Sequence, residues 1–258
     1  MKKAIASLAL IVGFTVSSTA QITISEIMYN PPESGSDSLE FIELVNTTTS
    51  TINLNLYTLT GVTHNFGMND SITAGQYLVG AVDSAAFRNV YGFDADFIWN
   101  SGDLGNGGDS IVLKNNLGLT IDSVNFGVSG LWDDRADGSG PSLVLCDSLS
   151  NNNIGQSWYA AQTEVTGGVI NGIQVYANPG VGANCFIISP QIDTNISCQG
   201  QNDGSVSIQS IGGTSPIIYS WSTGDTLNFV DTLSAGTYKV TAAYSTGLVD
   251  SLEFTLVE

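Results

Sequence analysis

Short runs in which apolar and polar residues alternate, each closed by a Gly-, Asn- or Asp-rich turn, recur along most of this chain. A two-residue period is the repeat of a β-strand, whose successive side chains point to opposite faces. The runs are "ITISEIMYN" (22–30), "LEFIELVN" (39–46), "LNLYTLTG" (54–61), "QYLVGAVD" (76–83), "DSIVLKN" (109–115), "TIDSVNFG" (120–127) and "PSLVLCD" (141–147). Between them lie "NPPESGSD", "TAGQ", "DLGNGGD", "KNNLG" and "ADGSGP", all rich in residues that tolerate tight turns. One stretch breaks the rule. In "DSAAFRNVYG", Phe87, Val90 and Tyr91 share a helical face, Asp83 or Ser84 can cap the start, and Gly92 can close the end.

The same style continues at smaller scale in "GSVSIQSIGG", "PIIYSWSTGD", "LSAGTYKVTAAYSTG" and "DSLEFTLVE". Val206 with Ile208, Tyr219 with Trp221, and Tyr238 with Val240 and Ala242 form one-sided apolar sets that could fill a small sandwich. "LSAGTY" reads as the corner before a late sandwich strand, where a Tyr hydroxyl bonds back to upstream backbone. The chain is therefore expected to be all-β.

Charge narrows the partners. The formal net charge is −18, from 24 acids against 6 Lys and Arg. Two of those cations, Lys2 and Lys3, sit in "MKKAIASLALIVGFTVSSTA", which has the form of a signal peptide over residues 1–20, with Ser18 and Ala20 suited to cleavage before Gln21. Arg88, Lys114, Arg135 and Lys239 are then the remaining strong cations. Four cannot build a phosphate-neutralising surface, so nucleic acid is not expected as a partner. An anionic membrane surface would repel the chain, and no later run is apolar over the about twenty residues a membrane span needs. Divalent cations or neutral polysaccharide are electrostatically easier partners.

Two stretches carry family resemblances. "ISEIMYNP", "EFIELVN", "LNLYTLTG", "ITAGQYLVGA", "LGNGGDSIVLKNNLG", "IDSVNFG", "GSGPSLVLCD", Trp158 and the closing "ANPGVGAN" together resemble a bacterial lamin-tail domain, an immunoglobulin-like β-sandwich. The closing piece reads "ANPG" where that family more usually has "GTPG". "ISCQGQNDGSVSI", "GGTSPIIYSWSTGD" and "LSAGTYKVTAAYSTG" resemble the SprB-type repeat of gliding adhesins from the Bacteroidota, with "YSTGLVD" in place of a stretch that normally carries a second cysteine. The resemblances imply two immunoglobulin-like β-sandwich domains in tandem: a lamin-tail-like module over 21–185, a linker over 186–192 and a small sandwich over 193–258.

The candidates for chemistry are few. Glu40 and Glu43 are an odd number of residues apart, so a regular strand sends them to opposite faces. Glycosidase carboxylates must face one substrate, so these two read as structural or edge charges and not as a catalytic pair. Glu26 could join Glu40 from a neighbouring strand. His64, the single histidine, has no nucleophile-elbow or zinc-binding motif around it and reads as an ordinary strand or loop residue. No catalytic residue is expected. "WDDRADGSG", with Asp133, Asp134 and Asp137, and "SGDLGNGGDS", with Asp103 and Asp109, are candidate calcium loops, because calcium takes several oxygen ligands from flexible turns. Apart from calcium, no cofactor is expected.

Cys146, Cys185 and Cys198 give an odd count for an exported chain. Cys146 falls in a late strand of the lamin-tail resemblance and Cys185 just after it closes, which favours a Cys146–Cys185 disulfide. A Cys185–Cys198 bond clamping the two modules, or three reduced thiols, are the alternatives. The expected role is non-enzymatic, at the cell surface or secreted: adhesion, with extracellular polysaccharide or a surface protein as partner. The alternatives are an accessory portion of a larger exported nuclease or phosphoesterase, or a carbohydrate-binding module using Trp132 or Trp158.

Overall fold

The computed structural model describes residues 21–183, 185–212, 216–244 and 249–257. The leader expected at residues 1–20 lies outside them. Strands dominate, and the first module is built on a six-stranded sheet. Across it run Trp158–Ala160, Leu143–Leu145, Ile22–Met28, Phe41–Asn46, Tyr77–Ala81 and Phe97–Ile98. Only the last pairing is parallel; the others are antiparallel. A four-stranded sheet faces it, in the order Thr120–Phe126, Asp109–Lys114, Thr58–Thr60 and His64–Asn65.

Between these sheets lies the main core, which includes Ile22, Ile24, Ile42, Leu44, Ile111, Leu113, Val124 and Trp158. The six-stranded sheet is also covered on its other face. Helix Ser84–Tyr91 and the hairpin Glu164–Ile170/Ile173–Tyr176 pack there around Met28, Phe41, Val79, Phe87 and Val175. The helix is fixed at both ends. Asp83 accepts hydrogen bonds from the backbone N–H groups of Ala85 and Ala86 at 2.8 and 2.9 Å, and Gly92 turns left-handed at φ 83°. Every residue of Ile22–Met28 and Phe41–Asn46 is consequently buried. A register shift between Ile24 and Glu26 lets Ile24 and Ile27 both face the main core and sends Glu26 to the other side.

The second module is two three-stranded sheets. One runs Phe186–Thr194, Gly204–Gly212, Phe229–Leu233; the other runs Ile217–Trp221, Gly236–Tyr244, Val249–Leu256. Phe186, Val206, Ile208, Tyr219, Trp221, Val240 and Ala242 fill the space between them. The Tyr238 hydroxyl donates to the Ser234 carbonyl at 2.8 Å and makes the corner. Residues 186–192, expected as a linker, are strand: Phe186–Thr194 pairs with Gly204–Gly212 along its length. Pro190 is accommodated because this is an edge strand, where a missing N–H leaves no ladder bond unmade.

Candidate functional site

The acids of the first module define its chemistry. Glu26 and Glu43 are cross-strand neighbours, both 1 % exposed, on the face covered by helix and hairpin. Two charges cannot be held side by side in such a place without partners, and the fold supplies hydrogen-bond donors. Glu26 Oε1 accepts from the Ser142 hydroxyl and from the Asn178 N–H at 2.9 Å. Glu43 accepts from the Ser25 hydroxyl at 2.7 Å and from the Gly180 N–H at 2.7 Å. Two glutamates thus tie the "ANPG" loop, residues 177–180, down onto the sheet. Burial raises the Glu26 pKa to about 7, against the hydrogen bonds from Ser142 and Asn178. Burial, with Glu26 beside it, raises that of Glu43 to about 9. The hydroxyl of Tyr91, on the covering helix, is also buried and makes no hydrogen bond.

Glu40 lies just before its strand and is fully buried at the edge of the main core. Both of its oxygens accept from the Leu104 N–H, at 3.2 and 3.1 Å. Burial lifts its pKa to about 8, reinforced by Asp103, Asp37 and Glu33. Glu40 and Glu43 do not share partners, as their odd spacing implies, and of the two readings offered for them the structural one fits and the edge charge does not. Both faces of the sheet are covered, so neither glutamate reaches water and both stay largely protonated at neutral pH. The cross-strand partner of Glu26 is Glu43, not Glu40.

Most carboxylates of the two aspartate loops are engaged by hydrogen bonds, some within the loops and some to neighbouring segments. Asp133 takes a forked ion pair from Arg135 and accepts from the Ala160 N–H at 2.9 Å. Burial opposes its ionisation, but the bonds from Arg135 and Ala160 and the guanidinium charge hold its carboxyl below the usual range. Asp137 accepts from the Asn30 amide at 2.6 Å, and Asp134 lies in a 3-10 turn with its neighbours. In the other loop Asp109 accepts from Gly105 and Ser110, while Asp103 is exposed. Among the described residues, no three His, Cys, Asp or Glu side chains converge as metal ligands. His64 sits in a short strand against the rings of Phe66 and Phe97, at centroid distances of 4.6 and 4.3 Å, with no hydroxyl or carboxylate hydrogen-bonded to it.

Cys146 and Cys185 are joined by a disulfide with a Cα–Cα distance of 5.6 Å, and Cys198 is a free, exposed thiol. The bond sits where the modules meet, against Val144, Ala161 and Ile187. Trp158 is 1 % exposed, with its indole N–H donating to the Asn152 carbonyl at 2.8 Å, so it cannot stack on a sugar. Trp132 faces a hollow of about 500 Å³ at the junction, beside Ile187 and Asp250.

A larger concavity, absent from the sequence reading, opens at the seam between the two sheets of the first module. It measures about 900 Å³. Its walls are the start of the Ile22–Met28 strand, the Thr120–Phe126 strand and residues 148–153 of the "SLSNNN" loop. Asp122 fixes the geometry. Its Oδ2 accepts from the Ile24 N–H at 2.7 Å and from the Asn152 amide at 2.6 Å, linking sheet to sheet and sheet to loop. Burial raises its pKa to about 6, although those bonds oppose the shift. A lone Asp in a strand run and an Asn repeat in a loop gave little warning of a cleft, since its walls come together only through the Asp122 bridge.

Two stacked pairs of antiparallel-rich sheets in succession define the class: tandem β-sandwich modules of immunoglobulin-like type. The family model for the lamin tail domain matches residues 15–127, and that for the SprB repeat matches residues 192–226. The chain carries a lamin tail domain followed by a SprB repeat, both of non-catalytic type. The first match ends before the outer strands Leu143–Leu145 and Trp158–Ala160, and before the loop that Glu26 and Glu43 hold. No curated protein matches the chain. Among the described residues, no helix is long and apolar enough to cross a membrane.

Proposed function

We propose that this is an exported, non-enzymatic adhesion protein that presents a binding surface outside the cell, to polysaccharide or to another surface protein. The succession of a lamin tail domain and a SprB repeat carries the reading, since both suggest an extracellular or surface-associated β-protein. The charge supports it: a chain at −18 is electrostatically unsuited to nucleic acid or to an anionic membrane. The acids support it too, being spent on loops and buried hydrogen bonds and not on a shared substrate position.

Beads coated with the purified chain test this on surfaces bearing either neutral polysaccharide or cell-surface protein. Attachment to at least one is expected. Failure on both, or turnover of a nuclease or phosphoesterase substrate that His64→Ala or Glu40→Gln abolishes in folded protein, overturns it.

A further inference from the structure

The geometry points to the cleft between the Ile22–Met28 strand, the Thr120–Phe126 strand and the 148–153 loop as a binding site for a neutral, polyhydroxylated ligand of oligosaccharide type. The choice of a sugar over other extracellular ligands rests in part on the adhesive reading above; the location rests on the structure alone.

The volume, about 900 Å³, lies within the range of about 300–1,000 Å³ in which small ligands are held. The lining decides the chemistry. Gln21, Thr23, Thr120, Ser123, Ser150 and Asn151 present amides and hydroxyls, and among the described residues no Lys, Arg or aromatic side chain joins them. Among the described residues, the side chains of Gln21, Thr120, Ser123, Ser148 and Ser150 make no hydrogen bond, and only the oxygen of Asn151 is used, by the Asn153 N–H. These groups are therefore free to exchange bound water for ligand hydroxyls, which both donate and accept as water does. Thr120–Phe126 is moreover the edge strand of its sheet, with one side unpaired except where Asn153 accepts from the Asn125 N–H at 3.3 Å.

Other ligand classes fit less well. A phosphate, sulfate or uronate would enter an acidic protein and find no cation among the described residues of the cleft, with the carboxyl of Asp122 in its floor. A peptide would look for apolar side-chain pockets, and Ile121 and the exposed Leu149 are the apolar residues on offer. The site is also held rigid without ligand. Asn152, 5 % exposed, is pinned through its amide to Asp122 and through its carbonyl to Trp158. That preorganisation limits the entropy lost on binding. The 148–153 loop lies outside the stretch matched to the lamin tail domain, so one wall of the cleft belongs to this chain and not to the matched part of the family pattern.

The test is an array of neutral oligosaccharides printed beside uronate- and sulfate-bearing ones, probed with the full purified chain. Binding to neutral members with little to acidic ones is expected. The triple variant Thr120→Ala, Ser150→Ala, Asn151→Ala should weaken it by at least about tenfold, and Ser123→Trp should block it by filling the cleft. Both variants should melt as wild type does. Thr166→Ala, in the distant hairpin, should leave binding unchanged. Absence of binding to any neutral glycan, preference for acidic ones, or full binding by the folded variants overturns the inference. Coated beads that still attach to protein surfaces while the array stays blank would refute the cleft and leave the adhesive reading standing.

Discussion

The two modules are both sandwiches, yet they dispose of their polar residues in opposite ways. In the second, the outer sheet faces meet water. Val249–Leu256 alternates exposed and half-buried residues, and Gly204–Gly212 buries Val206 and Ile208 while exposing the residues that follow. In the first, a helix, a hairpin and a loop cover the outside of the larger sheet, and the acids that alternation would send to solvent are enclosed. An added layer converts surface charges into buried neutral hydrogen-bonding groups. It makes the first module the pH-sensitive one and ties its integrity to chain segments distant in sequence.

That contrast can be broken or sharpened. The largest effect should follow from Cys146→Ser, which opens a loop with a sequence separation of 39 residues. The chain-entropy model assigns such a crosslink about 4 kcal/mol. Denaturant melts of oxidised and Cys146→Ser protein should show the loss in the first module; an equal loss in the second would mean that the modules do not melt separately.

The next effect is pH dependence. Glu26, Glu43 and Glu40 have native pKa values raised from 4.5 to about 7, 9 and 8. Between the unfolded and native values the native state binds more protons, so stability is full below about pH 4.5 and falls as pH rises towards 9. Calorimetry should show the first module melting at a lower temperature at pH 9 than at pH 5. Glu43→Gln, which keeps the shape and cannot ionise, should flatten this slope. A slope that is unchanged in the variant would remove the buried pair as its cause. The smallest effect is in the second module, where Tyr238→Phe deletes the corner hydrogen bond to Ser234 and should cost about 1 kcal/mol with no change in pH profile.

The same contrast explains what could be read from the sequence. Strand runs, the capped helix 84–91 and the Tyr238 corner are local, since each depends on spacing within about ten residues. The enclosure of Glu43 is not local: it needs Gly180 from far along the chain and a register that pairs it with Glu26. The strand Phe186–Thr194 was obscured because "SPQID" carries a proline and mostly exposed side chains, both of which suit an edge strand as well as a linker. The cleft was hidden for the same reason as the acid pair, because the bond between Asp122 and Ile24 is tertiary.

The position of the disulfide has a mechanical consequence. Cys185 immediately precedes the first strand of the second module, and Cys146 immediately follows Leu143–Leu145 in the six-stranded sheet. A pull on the second module, as by a tethered surface, enters the first through two parallel covalent routes, and the short one is the S–S bridge. Tension passes straight into the interior of the sheet. The intervening stretch, with its hairpin, its glutamate-held loop and one wall of the cleft, stays slack until the bridge is cut.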